Sequence, residues 1–269
     1  MQQATQSVST IHFATFLSPV LYKTYAYIAD YVGKYIGCST TLKTGQALEE
    51  FANEGADVGF LCGLQYVHMK NRPVCPVELL VAPVLQGQRY QHRPIYYSDV
   101  IVQSESLYTC FDDLQGCTWA YNECVSHSGY NLVCYNLLKR DKMPHYFGKT
   151  IATGSHLQSL QAVLDGKADG APIDSHLLDV LQQERPEIAA RIRIVDSLGP
   201  STIPPLVIST RLGENMKQLI QMALLSMHKD PYAAKELHKG RIECFVPVQN
   251  GDYDDIRTMF ALAQSKDFK

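Results

Sequence analysis

Apolar residues recur with a period of two over Thr10-Ile11-His12-Phe13-Ala14-Thr15-Phe16 and predict a strand, with Ile11 and Phe13 on one face. The spacing then changes to three and four. Leu21, Tyr25, Ile28, Val32 and Tyr35 line one side of a helix that Ser18-Pro19 opens and Gly37 closes. A second helix is expected from about Gln46 to Asn53, ending at Gly55, and Ala56–Leu61 reads as the strand after it. Further strands are predicted at Leu79–Leu85 and at Tyr97–Val102. A β-α series then restarts: strand Thr118–Tyr121, helix Tyr130–Lys139, a helix opened by Gly154-Ser155 with Leu157, Leu160, Val163 and Leu164 on its apolar face, and strand Ala168–Ile173. After the proline-rich Gly199–Pro205 come a strand at Leu206–Ser209 and two closing helices, Glu214–His228 and Tyr253–Gln264.

Alternating strands and helices predict an α/β protein with largely parallel strands. At 269 residues the chain exceeds the common single-core size, so two lobes are expected. The restarted series places their boundaries: residues 1–97 with 206–269 form the first lobe and 98–205 the second, the chain crossing at the strands near 97 and 206.

Composition narrows the function classes. A hydrophobic fraction of 46% with 19% charged residues describes a folded globular chain. The net charge of −3, without a basic run, argues against a nucleic-acid partner. Apolar runs near the N-terminal helix are broken by Lys23, Asp30 and Lys34, so no membrane insertion is expected. Met1–Gln6 shows neither a basic segment nor a following apolar one, so a secretory signal was removed or never existed. Eight cysteines without a Cys-x-x-Cys pair would allow four disulfides after export, but several sit in apolar runs, where reduced thiols are expected.

The chemistry concentrates in Asn122–Tyr130, small and polar at a helix start. The first N–H groups of a helix lack internal partners and its dipole is positive there, which makes an anion seat. Ser126 and Ser128 add hydroxyls, and Gly129 would let a ligand approach the backbone, although a serine there can equally be a helix cap. Thr153-Gly154-Ser155-His156 repeats the arrangement, so two helix starts could hold one oxyanion, with His156 as donor or merely as a helix-start histidine. Tyr96, beginning the crossing strand, either points its hydroxyl toward that space or packs.

These pieces resemble the PhnD-like family of phosphonate, phosphite and phosphate substrate-binding proteins of ABC transporters. Carrying the likeness in order are the helix after Ser18-Pro19, the strand through Gly55–Phe60, Tyr96-Tyr97-Ser98, Phe111–Gly116, Ser126–Tyr130, Thr153–His156 and Gly166–Asp169. The resemblance implies a type II periplasmic-binding-protein fold, two α/β lobes joined by two crossing strands, with ligand in the cleft between them. It implies a binding protein and not an enzyme, a small oxyanion as ligand, an ABC permease as partner, a monomer, and no cofactor or metal. Its phosphoryl seat would be Ser126, His127, Ser128 and the N–H of Gly129, with His156 as donor and Tyr96 as the cleft tyrosine.

Relatives holding an aminoalkyl phosphonate use carboxylates for the ammonium group. Here only Asp174 could serve, since Ile203-Pro204-Pro205 offers none, and an early cleft tyrosine near Thr44-Gly45 is also absent. A simple oxyanion or alkyl phosphonate is therefore expected to bind at least as well as an aminated one. The competing readings are a Cys124-x-x-His127 metal pair, a Cys-His catalytic pair, and a cytoplasmic sensor or cofactor-biosynthesis enzyme on the same fold. Localisation divides accordingly: periplasmic if a signal was removed, cytoplasmic otherwise.

Overall fold

The computed structural model describes residues 10–142 and 145–263. Their elements are β1 (Thr10–Thr15), α1 (Tyr22–Ile36), β2 (Ser39–Thr44), β3 (Val58–Phe60), α2 (Gly63–Lys70), β4 (Val77–Leu85), β5 (Ile95–Gln103), β6 (Thr118–Tyr121), α3 (Leu132–Lys139) and β7 (Lys149–Ala152). There follow α4 (His156–Leu164), β8 (Gly170–Asp174), α5 (Ser175–Glu184), α6 (Pro186–Ala189), β9 (Ile192–Thr202), β10 (Leu206–Ser209), α7 (Glu214–Ser226), α8 (Pro231–Lys239), β11 (Ile242–Val246) and α9 (Asp254–Ala263).

The described chain packs as two compact units, one of residues 10–61, 69–84 and 204–248, the other of 62–68, 85–203 and 249–263. These boundaries differ from those expected, since 62–68, 85–97 and 249–263 join the second unit. The physical reason is visible at the chain's end. Ser201 Oγ and Thr202 N both donate to Asp255 Oδ2, at 2.7 and 2.8 Å, Tyr253 donates to the Ile203 carbonyl, and Ala263 lies in the second unit's core.

In the first unit a six-stranded sheet has the order β11-β4-β10-β3-β1-β2. Local signals set its first helix: Ser18 Oγ accepts from Val20 N, Pro19 opens a single helical turn, and α1 ends at Gly37 with φ +74°. Ile28 and Val32 of α1 are buried, as are Ile11, Phe13 and Val58 of the sheet, and Tyr25 stacks on Phe60 with ring centroids 3.9 Å apart. The expected helix at 46–53 is only one turn, Leu48–Phe51, whose start Glu50 fixes by accepting from the N–H groups of Gln46 and Ala47.

The second unit's sheet has the order β7-β6-β8-β5-β9. Its core centres on Trp119, which stacks on Phe147 at 4.4 Å and meets Phe111 edge-on. On β5 the buried Asp99 carboxylate receives both arms of Arg89, at 3.0 and 2.5 Å, and Ser197 Oγ at 2.6 Å.

Strand direction departs from the parallel expectation at β10, antiparallel to β3 and β4, and at β5, antiparallel to β8 and β9. Each is reached from the other unit directly, without the helix that turns a chain back into a parallel neighbour. None of the eight cysteines is in a disulfide.

Candidate functional site

Parallel pairing of β6 with β7 and β8 brings their carboxyl ends to one edge of the second unit's sheet. Because β5 runs the other way, its beginning lies at the same edge, with Ser98 opposite Asp174. Loops leaving the carboxyl ends of strands are where α/β sheets hold ligands. Two backbone bonds tie the loops together: Thr153 N to Tyr121 O at 2.8 Å, and Gly154 N to Asn122 O at 3.0 Å. The helix starts after β6 and β7 therefore stand side by side, as their matching small-polar sequences suggested.

Ser128 and His156 meet there, Ser128 Oγ lying 3.1 Å from His156 Nε2. His156 Nδ1 is 3.2 Å from the Pro172 carbonyl, which can only accept, so the proton of the neutral ring sits on Nδ1 and Nε2 accepts from the serine hydroxyl. Burial depresses His156 to about 4, against the opposing pull of that carbonyl, so the ring is neutral near pH 7. Tyr96 is buried, its side chain hydrogen-bonds that of Ser128, and burial lifts its phenol well above the usual range. Ser98 donates to the Ser128 carbonyl at 2.7 Å and fixes the turn from below.

The remaining predicted residues serve otherwise. Ser126 caps a π-helical turn, His127–Asn131, accepting the Gly129 N–H at 3.0 Å, so that N–H already has a partner. Gly129 is required by packing: a Cβ there would lie 1.7 Å from Asn122 Oδ1, and this space is not open to a ligand. The His127 ring is buried and faces inward. Asn131 Nδ2 donates to its Nδ1 at 2.9 Å, its Nε2 donates to Ser201 Oγ at 2.8 Å, and Ser201 passes its own proton toward Asp255. Desolvation holds this imidazole at about 4, partly offset by Asp255. His127 is thus a strut beneath the seat, and its ring offers no donor to an anion. The same engagement, with Cys124 exposed, removes the Cys124-x-x-His127 metal pair, and no metal-holding cluster of His, Cys, Asp or Glu occurs among the described residues.

Asp174 caps α5, its Oδ1 accepting from His176 N at 2.9 Å and Leu177 N at 3.1 Å. Burial nevertheless raises it to about 7, with Asp99 and Asp179 adding to the rise against those two N–H groups, so it carries only a fractional charge near neutral pH.

Cys62 was not foreseen. Just before α2, its thiol is pushed above the usual range by burial, against the opposing pull of the backbone N–H groups of His127, Leu64 and Gln65. Nothing local in Leu61-Cys62-Gly63 marks it, since the first of these partners lies far along the chain. Ser201 and Asp255 were likewise unmarked for the same reason.

Fold and site together define a binding protein of the type II periplasmic class. Residues 11–253 match the family of phosphonate-binding periplasmic substrate-binding proteins of ABC transporters, and the chain belongs to that family. Among solved structures it is similar to a binding-protein component of an ABC phosphonate transporter from Pseudomonas aeruginosa, at 17% identity over 95% of this chain and 86% of that one, with a TM-score of 0.80. It is similar, too, to PhnD1 of Prochlorococcus marinus in complex with methylphosphonate, at 14% identity over 93% and 97% of the two chains and a TM-score of 0.80. A Xanthomonas citri protein bound to ATP matches at 17% identity over 96% and 98%, with a TM-score of 0.71. The family and its phosphonate-binding neighbours are substrate-binding proteins, not enzymes. No helix among the described residues is long and apolar enough to cross a membrane.

Proposed function

We propose that the chain binds a small phosphonate or related oxyanion at the Tyr96–Ser128–His156 seat and presents it, as a monomer, to an ABC permease. The observation that carries this reading is the 3.1 Å contact of Ser128 with a histidine whose tautomer is fixed by Pro172. When a monoanionic phosphonate gives its proton to His156 Nε2, the Ser128 hydroxyl is released from that nitrogen and turns to donate to the ligand, with the Tyr96 hydroxyl beside it. Transfer of that proton makes the imidazolium a charge-assisted partner without an isolated buried charge.

Asp174 supports a preference for ligands without an ammonium group. Its carboxylate is bonded to backbone and raised to about 7, so it is a weak counter-ion. Calorimetric competition among methylphosphonate, phosphite, phosphate and 2-aminoethylphosphonate at fixed neutral pH tests this. Methylphosphonate is expected to bind at least as tightly as the aminated ligand. A clear preference for the amine that disappears in Asp174→Asn would overturn the assignment.

A further inference from the structure

We propose that Asp255, on the last helix, is a positioning residue for the anion seat: through Ser201 it fixes the His127 ring, and with it the turn that presents Ser128. The proposal rests on the phosphonate-class reading of that seat.

Every link between Asp255 and the seat has a direction, and all of these residues belong to the second unit. Asp255 Oδ2 accepts from Ser201 Oγ at 2.7 Å and from Thr202 N at 2.8 Å. A hydroxyl has a single proton, so Ser201, having directed it at the carboxylate, can only accept from His127 Nε2, 2.8 Å away. The ring proton therefore sits on Nε2, and Nδ1 is left to accept from Asn131 Nδ2 at 2.9 Å. His127 and Asn131 are the two ends of the π-helical turn, and Ser128 follows His127 within it. Ser201 also lies opposite Tyr96 in the pairing of β5 with β9, and the Tyr96 and His127 rings are 6.3 Å apart. One carboxylate thus reaches Ser128 through His127 and Tyr96 through the strand pair.

Stability alone does not account for a carboxylate at this position. Asp255 Oδ1 is buried with no hydrogen-bond partner among the described residues, a cost that an apolar side chain would not carry. The start of α9 is joined to the end of β9 without it, by Thr202 Oγ1 on the Asp252 carbonyl at 2.6 Å and by Tyr253 on the Ile203 carbonyl at 3.2 Å. What Asp255 adds is an acceptor that holds the Ser201 proton away from His127. Without that acceptor the hydroxyl is free to donate to Nε2, which favours the tautomer with its proton on Nδ1. That proton would face Asn131 Nδ2, donor against donor, and the turn would lose the contact that joins its ends.

The test reads tautomer and affinity together at neutral pH. Proton–nitrogen correlation spectra of protein carrying labelled histidine report each ring, His127 being assigned by the loss of its signals in His127→Gln. Calorimetric titration of methylphosphonate reports the seat. In the wild type the His127 proton should be on Nε2, whereas that of His156 is on Nδ1; a wild-type His127 protonated on Nδ1 overturns the proposal whatever the variants do. Asp255→Leu should move the His127 proton to Nδ1 and weaken methylphosphonate about tenfold, with circular dichroism showing an intact fold. Asp255→Asn keeps an acceptor oxygen for Ser201, so it should retain the tautomer and bind within about threefold of the wild type; an equal loss in both variants overturns the acceptor role. A residue that only stabilised the fold would lower the melting temperature and leave the folded protein's tautomer and affinity unchanged. Binding by Asp255→Leu within about twofold of the wild type therefore overturns the proposal and leaves the phosphonate-class reading standing. Should Asp255→Leu fail to fold, Ser201→Ala cuts the same link and is judged by the same affinity criterion. If the wild type binds neither methylphosphonate nor phosphite nor phosphate, the phosphonate-class reading itself falls and the proposal with it.

Discussion

His127 and His156 flank the same serine and serve different ends. One is locked between Asn131 and Ser201 and supports the turn; the other turns Nε2 toward Ser128. Both are neutral in the fold, and both are held at about 4 against an ordinary 6.5. As pH falls below 6.5 the unfolded chain takes up protons that these rings refuse, so stability present above 6.5 is lost toward about 4, on the order of 3 kcal/mol for each ring at most. Asp174 acts with the opposite sign: raised from 3.8 to about 7, it contributes stability at low pH that disappears as pH rises through 7. Urea unfolding at about pH 7 and about pH 4.5 should therefore show His127→Gln losing less stability on acidification than the wild type. An equal loss would mean that His127 is not held neutral. Gly129→Ala is a separate expectation at this scale. With Asn122 Oδ1 in the way, it should cost about 2–3 kcal/mol, read as a lower urea midpoint, and a neutral effect would show that the turn yields freely.

Helix starts and strand ends position the site, and much of this was legible. The small-polar runs at 126–129 and 153–156 marked two neighbouring helix starts, and Ser18-Pro19 with Gly37 bounded the first helix. Strand β2 was not foreseen because its Ser-Thr-Thr-Leu-Lys-Thr sequence is polar on both faces, as suits an edge strand. Long β9 escaped because its glycine and proline read as a loop. The inward turn of the His127 ring depends on Asn131, Ser201 and Asp255, of which two lie more than seventy residues away and carry no local signal. The edge pairing of β5 with β9 also rests on a buried charge. Arg89→Met would leave Asp99 with Ser197 as its remaining hydrogen-bond partner among those described, and should cost about 3 kcal/mol of stability. Loss of less than about 1 kcal/mol in the same unfolding assay would contradict the pairing's importance.

For the molecule as a whole, the described chain passes between its two units more often than the two crossings that the sequence suggested, and its last helix belongs with the unit that carries the seat. Binding to the folded state alone stabilises it by mass action, so methylphosphonate should raise the melting temperature in a concentration-dependent way. The central claim is that Ser128, set against neutral His156, holds the oxyanion. Calorimetric titration of methylphosphonate into wild type and Ser128→Ala, with matching circular dichroism to show an intact fold, tests it most directly. The account predicts saturable binding by the wild type and an affinity about 10- to 150-fold weaker in the variant, the loss of one charge-assisted hydrogen bond. Binding of equal strength in a folded Ser128→Ala would contradict it.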